Sequence, residues 1–172
     1  YGIGLDLART EPGVDTGINV VLVKENGERS FLTNPHGTLR VLSGEHLEGE
    51  LFRDVKILCF ASIFVFPRLG NAEMERLFQR AKKQGVLVCA DMTKRKNGET
   101  AEDIRGALAC VDYLFPNYEE AVLVTGKREL HEIADTFLDC GVGNVVIKCG
   151  DKGCFVKNRE MFFTSPAVPG VP

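Results

Sequence analysis

Three short stretches of this 172-residue chain carry polar residues at spacings that chemistry uses. The first is Asn117-Tyr-Glu-Glu120, directly after the apolar run Val111–Phe115 and Pro116. Asn-x-x-Glu opening a helix sets a carboxylate among free backbone N–H groups, where phosphates and metal ions gather. The same spacing is that of a capping box, in which the two side chains only satisfy the helix end. The two roles are compatible: Glu120 could cap at rest and also hold a magnesium-bound water.

The second stretch is Asp91-Met-Thr-Lys-Arg95, after the apolar run Val86–Ala90. Asp91 could orient a hydroxyl or a water, and the planar fork of Arg95 suits a phosphate or carboxylate. With Lys94 and Lys96 beside it, the segment also reads as a solvated polar loop. The third stretch is Lys148-Cys-Gly150-Asp-Lys-Gly153. Glycines three apart let the backbone turn tightly and aim N–H groups at an anion. It is not a Walker loop, because the GxxxxGK[ST] order is missing and a strand pattern follows. A plain tight turn would use the same residues.

The elements that must position these residues are written in hydrophobic periodicity. Apolar runs at 55–60, 86–90, 111–115 and 144–148 predict four strands. Between them, helical spacing predicts a helix from Asn71 as N-cap to Gln84, a capped turn at Thr100 and Asp103, a helix from Asn117 to Thr125, and another from about Glu129 to Cys140. Short apolar strands alternating with helices predict an α/β fold with a mostly parallel, doubly wound sheet covered on both faces. Ligands then bind beyond the carboxyl ends of the strands. That edge comprises residues 61–69, 91–97, 116–120 and 149–153, which hold the three stretches apart from Lys148, the last residue of its strand.

Two further segments stand apart. Gly17–Val23, the turn signal Asn26-Gly27 and Arg29–Thr33 predict a β-hairpin outside the main sheet. Residues 154–157 and 160–164 predict a second hairpin at the sheet edge. The expected organisation is residues 1–51 with a lid hairpin at about 16–34, then an α/β core at 52–172.

Composition excludes some classes. The chain is 44% apolar with a net charge of −3, which speaks against a nucleic-acid or anionic-membrane surface. No apolar run is long enough to span a bilayer. None of the six cysteines forms a CxxC pair. They read as free, mostly buried thiols of a reducing compartment, which implies a cytoplasmic protein.

Taken together, the three stretches resemble the ribokinase-like (PfkB) family of carbohydrate and nucleoside kinases. Thr16-Gly17 with Asn26-Gly-Glu-Arg29 is similar to that family's hairpin over the sugar. Asp91 and Arg95 match its D-x-N-x-R segment, with Thr93 in place of Asn. Asp112-Tyr-Leu-Phe-Pro-Asn117-Tyr-Glu-Glu120-Ala matches its D-x-x-x-x-N-x-x-E-A phrase, and Val146–Gly153 its nucleotide loop. The resemblance implies that Asn117, Lys148, Gly150 and Gly153 contact ATP, that Glu120 organises Mg²⁺, and that Asp91 and Arg95 face substrate or transferred phosphate. The implied reaction is phosphoryl transfer from ATP to a hydroxymethyl group of a small-molecule sugar or nucleoside. The family's catalytic base lies in a GAGD phrase expected downstream of Pro172, so no catalytic base is assigned within the chain. An amino-terminal sugar-binding segment is expected upstream, so the chain reads as part of a longer protein and as inactive alone. A lone hairpin needs support, from more strands or from a second subunit, which would make a homodimer. The alternatives are a non-catalytic nucleotide- or sugar-binding protein on the same fold, and an unrelated doubly wound domain whose Asn-x-x-Glu is only a cap.

Overall fold

The structure, a computed structural model, describes residues 2–169. The end of the Pro166–Pro172 segment, expected to lead into the GAGD phrase, lies outside the described residues. The chain opens with β1 (Asn19–Val23) and β2 (Arg29–Thr33), paired antiparallel in a sheet of their own. Their turn is a three-residue loop: Gly27 N donates to Lys24 O, Lys24 N donates to Glu28 O, and Gly27 takes φ 81°. That is the bulged hairpin that needs a glycine in the left-handed region.

The core follows as β3 (Ile57–Ile63), α1 (Asn71–Lys83), β4 (Leu87–Met92), α2 (Arg105–Leu108), β5 (Tyr113–Leu114), α3 (Tyr118–Thr125), α4 (Leu130–Asp139), β6 (Asn144–Lys148), β7 (Cys154–Lys157) and β8 (Phe162–Ser165). The sheet order is β3-β4-β5-β6-β7-β8. The first four strands are parallel, and β7 and β8 add antiparallel at the edge. The parallel sheet and both hairpins therefore form as the apolar patterns required. β3 runs three residues past its expected end, through an irregularity between Phe60 and Ile63.

α1 and α4 pack on the same sheet face. Phe78 of α1 lies edge-on to Phe60 at 5.2 Å. On α4, His131 stacks edge-on to Phe155 and Asp135 pairs with Lys157 at 2.6 Å. Phe60, Val88, Ala90, Leu114, Val145, Ile147 and Phe155 form the buried floor of this face. On the opposite face Ile57, Leu87, Tyr113 and Phe163 are exposed. The two-sided cover expected for these strands is thus, among the described residues, not given by α1 and α4. The cysteines follow from this. All six are free, but only Cys140 is buried, four are half-buried and Cys59 is exposed, which corrects the expectation of mostly buried thiols.

Local signals held with one exception. Asn71 is the first residue inside α1, not its cap; Gly70 caps, and the Asn71 Oδ1 accepts from Ala107 N at 2.9 Å. Thr100 and Asp103 bond each other reciprocally, as their spacing required.

Candidate active site

The carboxyl ends of β4, β5 and β6 bring three of the expected stretches together. After β5, Asn117 caps α3. Its Oδ1 accepts from Glu120 N at 2.8 Å, and Glu120 Oε2 accepts from Asn117 N at 3.1 Å. Such a reciprocal cap contributes about 1 kcal/mol. Next door, Lys148 N donates to Pro116 O at 2.9 Å, and Asn117 and Lys148 form a parallel bridge. This pins the end of β6 against the start of α3. The Lys148 ammonium reaches back across β5 to β4, where it meets both oxygens of Asp91 at 3.0 Å. Met92 N also donates to Asp91 Oδ1 at 2.8 Å.

Glu120, Asp91 and Lys148 feel one another. Burial pushes the Glu120 carboxyl above its ordinary range and the negative charge of Asp91 adds to this, while the Asn117 N–H and the Lys148 ammonium oppose it. Among the described residues no three His, Cys, Asp or Glu side chains converge as a metal cage. A two-carboxylate edge is instead the kind of donor set that suits magnesium, which uses one or two carboxylates together with phosphates.

Two cavities lie near these strand ends. One, of about 280 Å³, lies between the β1–β2 hairpin and the loop after β4, and Asn19, Asn34, Thr93 and Lys96 supply polar groups to it. Val65 is another of its lining residues, just after a strained turn in which Ser62 (φ 65°) and Phe64 (φ 76°) take left-handed backbone. The other cavity, of about 750 Å³, is lined by Asn117, Lys148, Gly150 and Lys152, with Arg128 from the α3–α4 connection. Gly153 closes the loop from beneath: it has φ 86°, and a Cβ there would stand 1.9 Å from Ser165 O. Burial pushes the Cys149 thiol in this loop upward, so it offers no ready thiolate.

Arg95 stands apart from this group. Its guanidinium donates to the carbonyls of Gly98 and Glu99, both at 3.2 Å, and it lines a separate groove with Thr100, Arg105 and Thr125. Asp112, the first residue of the long phrase, is at the other end of β5. It accepts from Val88 N at 2.8 Å and pairs with Lys82, which makes it a tie between strands. Sequence reasoning gave no site role to Asn19, Asn34, Arg128 or Lys152, and read Lys96 only as part of a solvated loop. Asn19 could have been flagged as a polar residue inside the apolar run 17–23. Nothing in the pattern pointed to Arg128.

A profile of the pfkB family of carbohydrate kinases matches residues 1–171, and the chain belongs to that family. It is 30% identical over 115 residues to the ATP-dependent 6-phosphofructokinase of Thermoanaerobacterium thermosaccharolyticum, a match that covers 64% of this chain and 36% of that enzyme. It is 29% identical over 113 residues to the cytidine kinase of Thermococcus kodakarensis, covering 65% and 40%. The crystal structure of fructokinase from Vibrio cholerae O395, bound to fructose, ADP and calcium ion, has the same fold. It superposes with a TM-score of 0.68 at 18% identity, covering 91% of this chain and 52% of that one. The chain thus spans about two fifths or less of the two kinases and about half of the fructokinase. No helix among the described residues is long and apolar enough to cross a membrane.

Proposed function

We propose that this chain carries the nucleotide and metal side of an ATP-dependent kinase that phosphorylates a hydroxymethyl group of a sugar or nucleoside. One observation carries the reading: the Asp91–Lys148 ion pair ties the end of β4 to the end of β6, and each of these strand ends leads to one cavity. Asp91 is two residues from Thr93 of the smaller cavity, and Lys148 lines the larger one. The smaller has the volume for a sugar under a hairpin lid, with Asn19, Asn34 and Thr93 as neutral polar groups and Arg40 and Lys96 as cations. The larger brings Lys148, Lys152 and Arg128 as cations for a phosphate chain, with Glu119, Glu129 and Asp151 also on its wall. A transferred phosphoryl group would cross between them at Asp91.

In this reading Asn117, Lys148, Gly150 and Gly153 hold ATP, Asp91 faces the transferred group, and Glu120 with Asp91 would hold Mg²⁺. Magnesium, when bound there, neutralises charge on the phosphates. The chain's own contribution is positioning and fixed charge, which carry most of phosphoryl transfer. Arg95 has to leave the Gly98 and Glu99 carbonyls before it can reach a phosphate. Residues 1–172 contain no GAGD sequence, so the reading assigns the base to residues outside them. The hairpin, with Val20, Leu22, Phe31 and Leu32 exposed, would pack against more strands or against a second subunit.

The test is turnover of ATP with Mg²⁺ on a panel of sugars and nucleosides. It compares the 172-residue protein with a longer chain that carries the GAGD phrase. The reading expects phosphorylation by the longer chain and none by the shorter. Robust phosphorylation by the shorter chain would show the base to be misassigned. Binding without turnover in the longer chain would leave a non-catalytic nucleotide- or sugar-binding protein.

A further inference from the structure

The Lys148 ammonium has a fixed base and a choice of partners. Its backbone is held by Pro116 O and by the bridge to Asn117, so only the flexible four-carbon stem can move. It meets Asp91 at 3.0 Å to both oxygens, and Lys148 is also one of the residues that line the larger cavity. The pair is about half exposed, with side-chain accessibilities of 47% and 40%, so its ion pair is weak enough to exchange. Met92 N keeps its own bond to Asp91 Oδ1, so the carboxylate stays in place if the ammonium leaves.

We propose that Lys148 is an internal stand-in for the metal ion. In the nucleotide-free protein its ammonium neutralises Asp91 beside Glu120. The phosphate chain of a nucleoside triphosphate draws it into the larger cavity, so that the divalent cation enters with the nucleotide and not before it. The inference rests on the nucleotide reading above and adds an order of binding to it. Its physical basis is like-charge repulsion: a divalent ion at the Asp91–Glu120 edge and an ammonium on Asp91 exclude each other.

The experiment uses the purified protein with two probes. Mn²⁺ binding is followed by the spin-resonance signal of the free ion with no nucleotide present, and ATP binding is measured calorimetrically in EDTA. Lys148→Met is expected to bind Mn²⁺ about tenfold tighter than wild type, as expected from removing one like charge a few ångströms away. Asp91→Asn releases the ammonium, and is expected to bind metal-free ATP about fivefold tighter than wild type. An unchanged Mn²⁺ affinity in Lys148→Met, or unchanged metal-free ATP affinity in Asp91→Asn, would reduce the pair to an ordinary surface contact. ATP binding with unchanged Mn²⁺ affinity overturns the stand-in alone. Tighter Mn²⁺ binding with no ATP binding under any condition overturns the nucleotide reading and the drawing-away step with it.

Discussion

Asn117 and Glu120 bond each other twice, side chain to backbone in each direction, at 2.8 and 3.1 Å. The bonds fix the Glu120 carboxylate at the amino end of α3, close enough to Asp91 and Lys148 for their charges to act on it. A cap made of a half-buried, electrostatically crowded carboxylate is a poor choice for stability alone, and this gives the first expectation.

The Glu120 pKa is raised in the folded protein, chiefly by burial. A raised carboxyl contributes stability below its unfolded pKa and loses it as pH rises through the folded one. Glu120→Gln keeps a capping oxygen and has no charge to bury. At pH 7 the variant should therefore melt at or slightly above wild type. As pH falls through the ordinary glutamate range, wild type should gain on the variant. Thermal melts of the pair from pH 7 to pH 4 check this. If wild type loses ground on acidification instead, the carboxylate is stabilised by its setting and the burial argument fails.

Gly153 and Gly150 should differ as substitution sites. Gly153→Ala meets Ser165 O, a backbone atom, in addition to its left-handed φ of 86°. Gly150→Ala has φ 62° but open space around its Cβ. Conformational strain alone costs about 1–2 kcal/mol, and the clash should roughly double this. Denaturant melts should rank Gly153→Ala well below Gly150→Ala; equal losses would mean that the 165–167 segment does not sit on the loop.

Lys96 separates the two cavities functionally. It is among the residues that line the smaller one and not among those that line the larger. Loss of a charged hydrogen-bond donor costs about 1.5–3 kcal/mol. In a turnover assay of the longer, GAGD-bearing chain Lys96→Ala should raise KM for the acceptor about tenfold and leave KM for ATP within twofold. The reverse split would exchange the roles of the two cavities.

The core was legible because its strands are short apolar runs with capped helices between them, a pattern set by burial and local hydrogen bonds. The Asn117–Glu120 cap was legible for the same reason, since both partners lie within one helical turn. Asp91 and Lys148 were each readable as polar groups at a strand end, but their ion pair joins residues 57 apart in the chain. No local rule reports that. Asn71 shows the same limit, being taken from capping by Ala107 N, 36 residues away. Arg95 was readable as a cation on the correct edge, but its direction was not, because the nearby Gly98 and Glu99 carbonyls compete for it. The open sheet face was invisible for a simpler reason. Apolar residues such as Ile57 and Leu87 specify that a face needs cover, and do not specify which element gives it.

If the Asp91–Glu120–Lys148 edge serves phosphoryl transfer, Glu120→Gln in the longer, GAGD-bearing chain strikes at it. The measurement is turnover per folded molecule against Mg²⁺ concentration, with ATP and the best acceptor saturating. Removing a preorganised charge at the reacting phosphates costs roughly 10²-fold or more in rate. The expected result is that loss, a higher Mg²⁺ requirement for the remaining activity, and a melting temperature close to wild type. Wild-type turnover with a melting temperature lowered by several degrees would contradict it and leave Glu120 as a helix cap only.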